Sequence, residues 1–158
     1  MDVAFTVNGQ ARDVDVAGTV SLLEVLRNHL ALTGTRYGCG QEQCGCCMVL
    51  VDDQPVYACT REVGTVAGRS VTTVEGMGTP AQPHPLQRAF LDEQAGQCGY
   101  CLSGILISAK ALLDRNPDPT RADIVAALDM HLCRCGAHQR ILRAVERAAE
   151  SLRNGSRP

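Results

Sequence analysis

The sequence predicts an α+β chain, with a sheet in its first half and four helices in its second. Three observations predict it. Short alternating apolar runs, separated by turn residues, fill the first half. Helical periodicity takes over after a stretch rich in Gly and Pro near residues 76–85. The nine cysteines fall into two tight groups, one in each half.

The elements follow in order. Val3 to Val7, the turn dipeptide Asn8-Gly9 and Arg12 to Val16 predict a hairpin, with Val14 and Val16 alternating against Asp13 and Asp15. Ser21 with Glu24 predicts a capping box ahead of a helix built on Leu22, Leu23, Val25, Leu26 and Leu30. Met48–Val51 and Val56–Cys59 flank Asp52 to Pro55 as a second hairpin; folded about its centre, it pairs Cys59 with Met48 and brings Cys59 beside Cys47. Ser70 to Val74 is the last strand. The order ββαβββ is that of a β-grasp sheet, also the architecture of plant-type ferredoxins. Residues 77–83 read as the linker between a 1–76 domain and an 84–153 domain.

Everything beyond the linker reads as helix. Pro85 suits a first helical position before Leu86, Ala89 and Phe90. The next helix, from Leu102 through Leu113, is apolar nearly all round and should be deeply buried, and Pro117 and Pro119 stop it. Thr120 with Asp123 caps a third helix carrying Ile124 and Leu128. The fourth has a clean stripe at Ile141, Val145, Ala148 and Leu152. Short connections between the four predict a small bundle, and residues 154–158 a frayed tail.

Composition bounds the function. Apolar residues make up 45% of 158, aromatics only 3%, and Trp is absent, so two halves of this size have marginal cores that a metal staple would strengthen. A net charge of −2 offers no basic footprint for nucleic acid. No apolar run reaches the ~20 residues that span a bilayer. The first residues have neither a basic start nor an apolar core of a secretory leader, which places the chain in a reducing cytoplasm as an expectation.

The cysteines carry the chemistry. The first group is Cys39-x4-Cys44-x2-Cys47 with Cys59 downstream, the plant-type [2Fe–2S] spacing. The second is Cys98-x2-Cys101 followed by Cys133-x-Cys135. Four thiolates per group, twice, meet the requirement of two [2Fe–2S] clusters. Disulfides fit poorly: the count is odd, and Cys133 and Cys135 are too close in sequence for good geometry. Zinc also takes four cysteines and stays as an alternative. Cys46 could replace Cys47 as a ligand, although Cys47 restores the spacing. Glycines 38, 40 and 45 let the first loop bend and bring backbone N–H groups to sulfur. Helix starts follow both cysteine pairs of the second group, so helix N-termini can face an anionic cluster. His29, His84, His131 and His138 are not needed as ligands, and no arrangement for hydrolysis or phosphate binding is present.

Gln97-Cys98-Gly99-Tyr100-Cys101, Leu132-Cys133-Arg134-Cys135-Gly136, Tyr37-Gly38-Cys39, Gln43-Cys44-Gly45 and Cys47 together resemble a known family over nearly the whole chain. The chain looks like the small iron–sulfur subunit of molybdenum hydroxylases, the xanthine oxidase and carbon monoxide dehydrogenase class. The segment from Cys135 to Val145 looks like the isoquinoline 1-oxidoreductase and nicotinate dehydrogenase types. The resemblance implies a large partner subunit that holds a molybdopterin cytosine dinucleotide and hydroxylates the substrate. It implies electron transfer through this chain, one electron at a time, to a flavin or cytochrome c subunit or to another acceptor. Gln97 and Cys135 would approach the pterin, with Cys135 also a cluster ligand. Three positions depart from the pattern: Leu102-Ser103-Gly104 replaces Thr-Pro-Gly, Cys46 replaces Ala, and Gly136-Ala137-His138 replaces Thr-Gly-Tyr. A zinc-stapled interaction module and a free two-cluster ferredoxin are the competing readings.

Overall fold

A computed structural model describes residues 2–155. Residues 156–158 of the expected tail lie outside the described residues. Asn154 and Gly155 form a turn that closes the last helix, their N–H groups donating to Glu150 and Leu152 carbonyls at 3.0 and 3.4 Å.

β1 (Asp2–Val7) and β2 (Gln10–Asp15) form the first hairpin, with Val3 opposite Val14 and Val7 opposite Gln10. Its two-residue turn uses φ of +50° at Asn8 and +77° at Gly9, a conformation those two residues adopt cheaply and whose twist matches the strands. Ser21 caps α1 (Leu22–Glu24), its hydroxyl accepting the Glu24 N–H at 3.2 Å. The helix widens at once into a π-helical turn, Val25–His29, where Leu30 N–H reaches the Val25 carbonyl. Leu22, Leu23, Val25 and Leu26 are all buried against the sheet.

β3 (Met48–Val51), β4 (Gln54–Tyr57) and β5 (Ser70–Thr72) complete a five-stranded mixed sheet in the order β2-β1-β5-β3-β4, with β1 and β5 parallel. The second hairpin turns on Asp52 and Asp53 alone, both at positive φ, not on four residues. Its register therefore pairs Met48 with Tyr57, two residues away from the expected Met48–Cys59 pairing. The sequence run contained no Gly to mark the tight turn, and two aspartates tolerate the left-handed region well enough to form it.

The helical half contains α2 (Pro85–Asp92), α3 (Leu102–Arg115), α4 (Arg121–Leu128) and α5 (His138–Arg153). His84 caps α2, its Nδ1 accepting Leu86 N–H at 3.1 Å. Thr120 and Asp123 make the capping box of α4. α2 packs on α5 and α3 on α4, but α3 also packs on β3 of the sheet. That contact explains why Met48–Val51 is buried on both sides. Met48 and Leu50 join the helical core, whereas Cys47, Val49 and Val51 join the sheet core, as the two-residue period of a strand requires. Among the described residues, no helix is long and apolar enough to cross a membrane.

Candidate metal centres

The first cysteine group sits on the loop between the π-helical turn and β3. Arg27 shapes its lead-in by donating to the carbonyls of Thr33 and Thr35, each at 2.7 Å. Cys39 and Cys44 come together: Cys39 N–H donates to Cys44 Sγ at 3.4 Å, and their side chains are within hydrogen-bond reach. Gln41 and Gln43 direct their N–H groups at Cys39 Sγ, at 3.4 and 3.2 Å. The Gln41 bond leads in lowering the Cys39 thiol to about 7, against the opposing effect of burial. The donors are thus Cys39, Gln41 and Gln43, while the glycines only shape the path.

Cys47 and Cys59 form the second pair. Cys47 is buried at the start of β3, and burial pushes its thiol up to about 12. Cys59 lies just past β4. Ala58 N–H donates to the Cys47 carbonyl at 3.2 Å, which extends the hairpin and leaves the two thiols within reach. The corrected register still delivers Cys59 to Cys47. Cys46 turns the other way. Its Sγ lies 3.3 Å from Cys44 Sγ, and the thiol donates to the Arg36 carbonyl at 3.3 Å.

The second group spans the α2–α3 and α4–α5 connections. Cys98 and Cys135 place their sulfurs 3.5 Å apart, and Cys101 and Cys133 are within hydrogen-bond reach of each other. Tyr100 N–H donates to Cys98 Sγ at 3.5 Å and, with Cys135, lowers that thiol. Burial opposes ionisation of Cys133, but the N–H groups of Ala137, Cys135 and Gly136 outweigh it. These donors precede α5, so the turn before the helix, more than the helix itself, faces the sulfur. Cys101 is buried and raised to about 12. Cys98 is exposed, and so is Gln97 beside it. Gln97 lines an open cleft of about 720 Å³ with Phe90, Leu91, Leu102, Leu106 and Arg140.

The two loops are locked face to face. Leu132 N–H donates to the Cys44 carbonyl at 3.1 Å, joining a residue next to Cys133 to a cysteine of the other group. Arg36 donates to the Gly99 carbonyl at 2.5 Å and covers the Tyr100 ring at 5.2 Å. The Tyr100 hydroxyl donates to the Tyr37 carbonyl. Ser103 donates to the Cys46 carbonyl at 3.4 Å. His131, 6% exposed, places Nε2 2.7 Å from Ser108 Oγ and its ring against Gly45; burial pulls its pKa down to about 4, so it stands neutral. Sequence reasoning assigned none of these linking roles. The two serines in the mostly apolar first half of α3 were the available signal. Arg134 is exposed between its flanking cysteines.

Donor chemistry can be tested against iron and zinc. A lone tetrahedral ion takes four donors aimed at one point. The eight expected ligand thiols come in twos, 39 with 44, 47 with 59, 98 with 135, and 101 with 133, with Cys46 as a further sulfur beside Cys44. A two-iron core takes two thiolates at each end and backbone N–H groups on its sulfurs, and the residues present fit that demand.

Comparison with known proteins gives the same chemistry. Residues 5–69 match the family described as 2Fe-2S iron-sulfur cluster binding domain, and residues 73–146 the family described as [2Fe-2S] binding domain. The chain is 50% identical over 151 residues to a nicotinate dehydrogenase subunit of Pseudomonas putida, covering 96% of each. It belongs to the small [2Fe–2S] subunits of the molybdenum hydroxylase family. The alpha subunit of isoquinoline 1-oxidoreductase from Brevundimonas diminuta is 47% identical over 149 residues, covering 94% of this chain and 97% of that one. The crystal structure of quinoline 2-oxidoreductase from Pseudomonas putida 86 superposes with a TM-score of 0.92 at 35% identity, over 98% of this chain and 97% of the matched chain. As a member of this family the chain is part of a multi-subunit oxidoreductase and has two [2Fe–2S] domains, which displaces the zinc-module reading.

Proposed function

We propose that this chain relays single electrons from a molybdopterin centre on a large partner subunit to a flavin, a cytochrome or another acceptor. Cys39, Cys44, Cys47 and Cys59 would hold one [2Fe–2S] cluster, and Cys98, Cys101, Cys133 and Cys135 the other. When bound, each cluster supplies a one-electron carrier whose potential responds to hydrogen bonds on its sulfurs. The observation that carries the reading is the two-plus-two arrangement of thiols in both lobes, on loops bonded to each other through Leu132 N–H and the Cys44 carbonyl.

The chain's own residues do the rest. N–H groups of Cys39, Gln41, Gln43 and Tyr100 point at sulfur and stabilise added negative charge there. Buried Cys47 and Cys101 keep water from the inner edges. Exposed Cys98 and half-buried Cys135 form the outer edge of the helical-lobe site, and Gln97 stands next to them at the mouth of the cleft. That edge is where the partner's molybdopterin cytosine dinucleotide would meet Gln97 and Cys135. The first lobe then faces the acceptor. A reducing cytoplasm suits so many unpaired thiols.

The test is to purify the complex without air, count iron and sulfide, and record paramagnetic resonance after stepwise reduction. About four of each per chain and two distinct signals are expected. Cys59→Ser should weaken one signal, and Cys101→Ser the other. Bound zinc without labile sulfide would overturn the reading.

A further inference from the structure

We propose that Cys46 sets the reduction potential of the first-lobe cluster by donating a hydrogen bond from its thiol to Cys44 Sγ. The inference rests on the assignment of Cys39, Cys44, Cys47 and Cys59 as iron ligands. It concerns the cysteine that the ligand count leaves over.

The geometry decides the direction of the bond. Cys46 Sγ and Cys44 Sγ are 3.3 Å apart, and either could donate while both are thiols. A cysteine bound to iron has lost its proton, so Cys44 can then only accept. The proton in the pair belongs to Cys46. That thiol is 4% exposed and donates to the Arg36 carbonyl, so it is the donor of the pair. It has one proton and two acceptors at equal range, the Arg36 carbonyl and Cys44 Sγ, both at 3.3 Å.

Its position is fixed on several sides. The Cys46 carbonyl accepts from Arg36 N–H and from Ser103 Oγ–H, each at 3.4 Å. Gly38 leaves room for both sulfurs: a Cβ there would lie 2.6 Å from Cys46 Sγ and 2.7 Å from Cys44 Sγ. Cys46 is not the thiol that meets Cys59; Cys47 is. The side chain is therefore built in as a neighbour of the cluster, not as a spare ligand.

With a reduced cluster held by Cys44, added negative charge on the ligand sulfurs would make Cys44 Sγ a better acceptor than the Arg36 carbonyl. The Cys46 thiol would then favour the sulfur over the carbonyl. The proton stays on Cys46, no S–H bond breaks, and the electron count changes by the one that entered. A donor that bonds more strongly to the reduced form favours reduction.

The experiment uses the intact complex with Cys46→Ala and Cys46→Ser, titrated potentiometrically and followed by paramagnetic resonance. With Cys46→Ala, iron and sulfide should stay at the wild-type content. The reduced-to-oxidised ratio of one cluster at a fixed potential should fall three- to tenfold, where tenfold is about 59 mV for one electron. The other cluster should not move. An exchangeable-proton coupling to the reduced cluster, seen by comparing water with deuterium oxide, should disappear. Cys46→Ser keeps a donor and should restore most of the ratio and the coupling. Unmoved potentials with iron intact would overturn the proposal. So would loss of iron in Cys46→Ala, which would make Cys46 a ligand. A wild-type complex lacking the first-lobe cluster would bring down the ligand assignment itself, and the proposal with it.

Discussion

Gly104 on α3 offers a test in which two physical effects predict opposite signs. A Cβ built at Gly104 would lie 2.0 Å from the Gly45 carbonyl oxygen, 2.9 Å from its carbon and 3.0 Å from Cys46 Cα. All three are backbone atoms, so no side chain can rotate away. A comfortable carbon–oxygen contact is about 3.3 Å, so Gly104→Ala must part α3 from the first cysteine loop by roughly 1.3 Å. Overpacking of this kind costs ~1–3 kcal/mol. Helix propensity alone would favour Ala by ~1 kcal/mol. Because only backbone atoms could yield, the overpacking cost falls in the upper part of that range, about 2–3 kcal/mol, and the net expectation is a loss of about 1–2 kcal/mol, or a Tm lower by roughly 2–8 °C for a chain of this size. Calorimetry of the iron-loaded protein measures it. Because the displaced loop carries Cys44, the magnetic interaction between the two reduced clusters should weaken as well. An unchanged or raised Tm with an unchanged interaction would refute the claim that bare backbone contact at Gly104 sets the spacing of the loops.

Three further outcomes follow from the same structure. Gly38→Ala presses on Cys44 Sγ and Cys46 Sγ; iron should drop from about four to about two per chain with one resonance signal lost, and full retention of both would show that the sulfurs can yield. His84 must be neutral to accept Leu86 N–H, and burial, aided by Lys110, holds its pKa below the ordinary 6.5. The unfolded chain therefore takes the proton first, and stability should fall as pH drops below about 6.5; His84→Asn keeps a cap acceptor and should flatten that slope in urea unfolding. Arg147 bridges Asp92 and Glu93, each at 3.2 Å, with both sides partly in water; Arg147→Ala should cost no more than ~1 kcal/mol, an effect that shrinks with added salt.

The strands, the caps and the four helices were legible because each rests on local chemistry: Asn8-Gly9 for a turn, Thr120 with Asp123 for a cap, Pro85 for a helix start. The grouping of the thiols was legible for the same reason, since spacing along a loop limits which sulfurs can meet. What the chain could not show locally was how its halves meet. The apolar α3 read correctly as buried, but part of the burying surface is β3, far away in sequence. The register of the second hairpin slipped because Asp52 and Asp53 accept a left-handed turn without a glycine to announce it. Ser103 bonds across the junction, and His131, held by Ser108, lies against Gly45 there; sequence periodicity carries no information on either. Tyr100 neither fills the core nor stands free: it is 49% exposed and ties one loop to the other.

β3 has a consequence for how such a chain can be cut, shuffled or inherited. Neighbouring residues along it belong to different interiors, Met48 and Leu50 to one, Val49 and Val51 to the other. Deleting the helices would strip one flank of an interior strand and leave an oily, sticky surface next to the first cysteine loop. Neither lobe is then a module that can be borrowed alone.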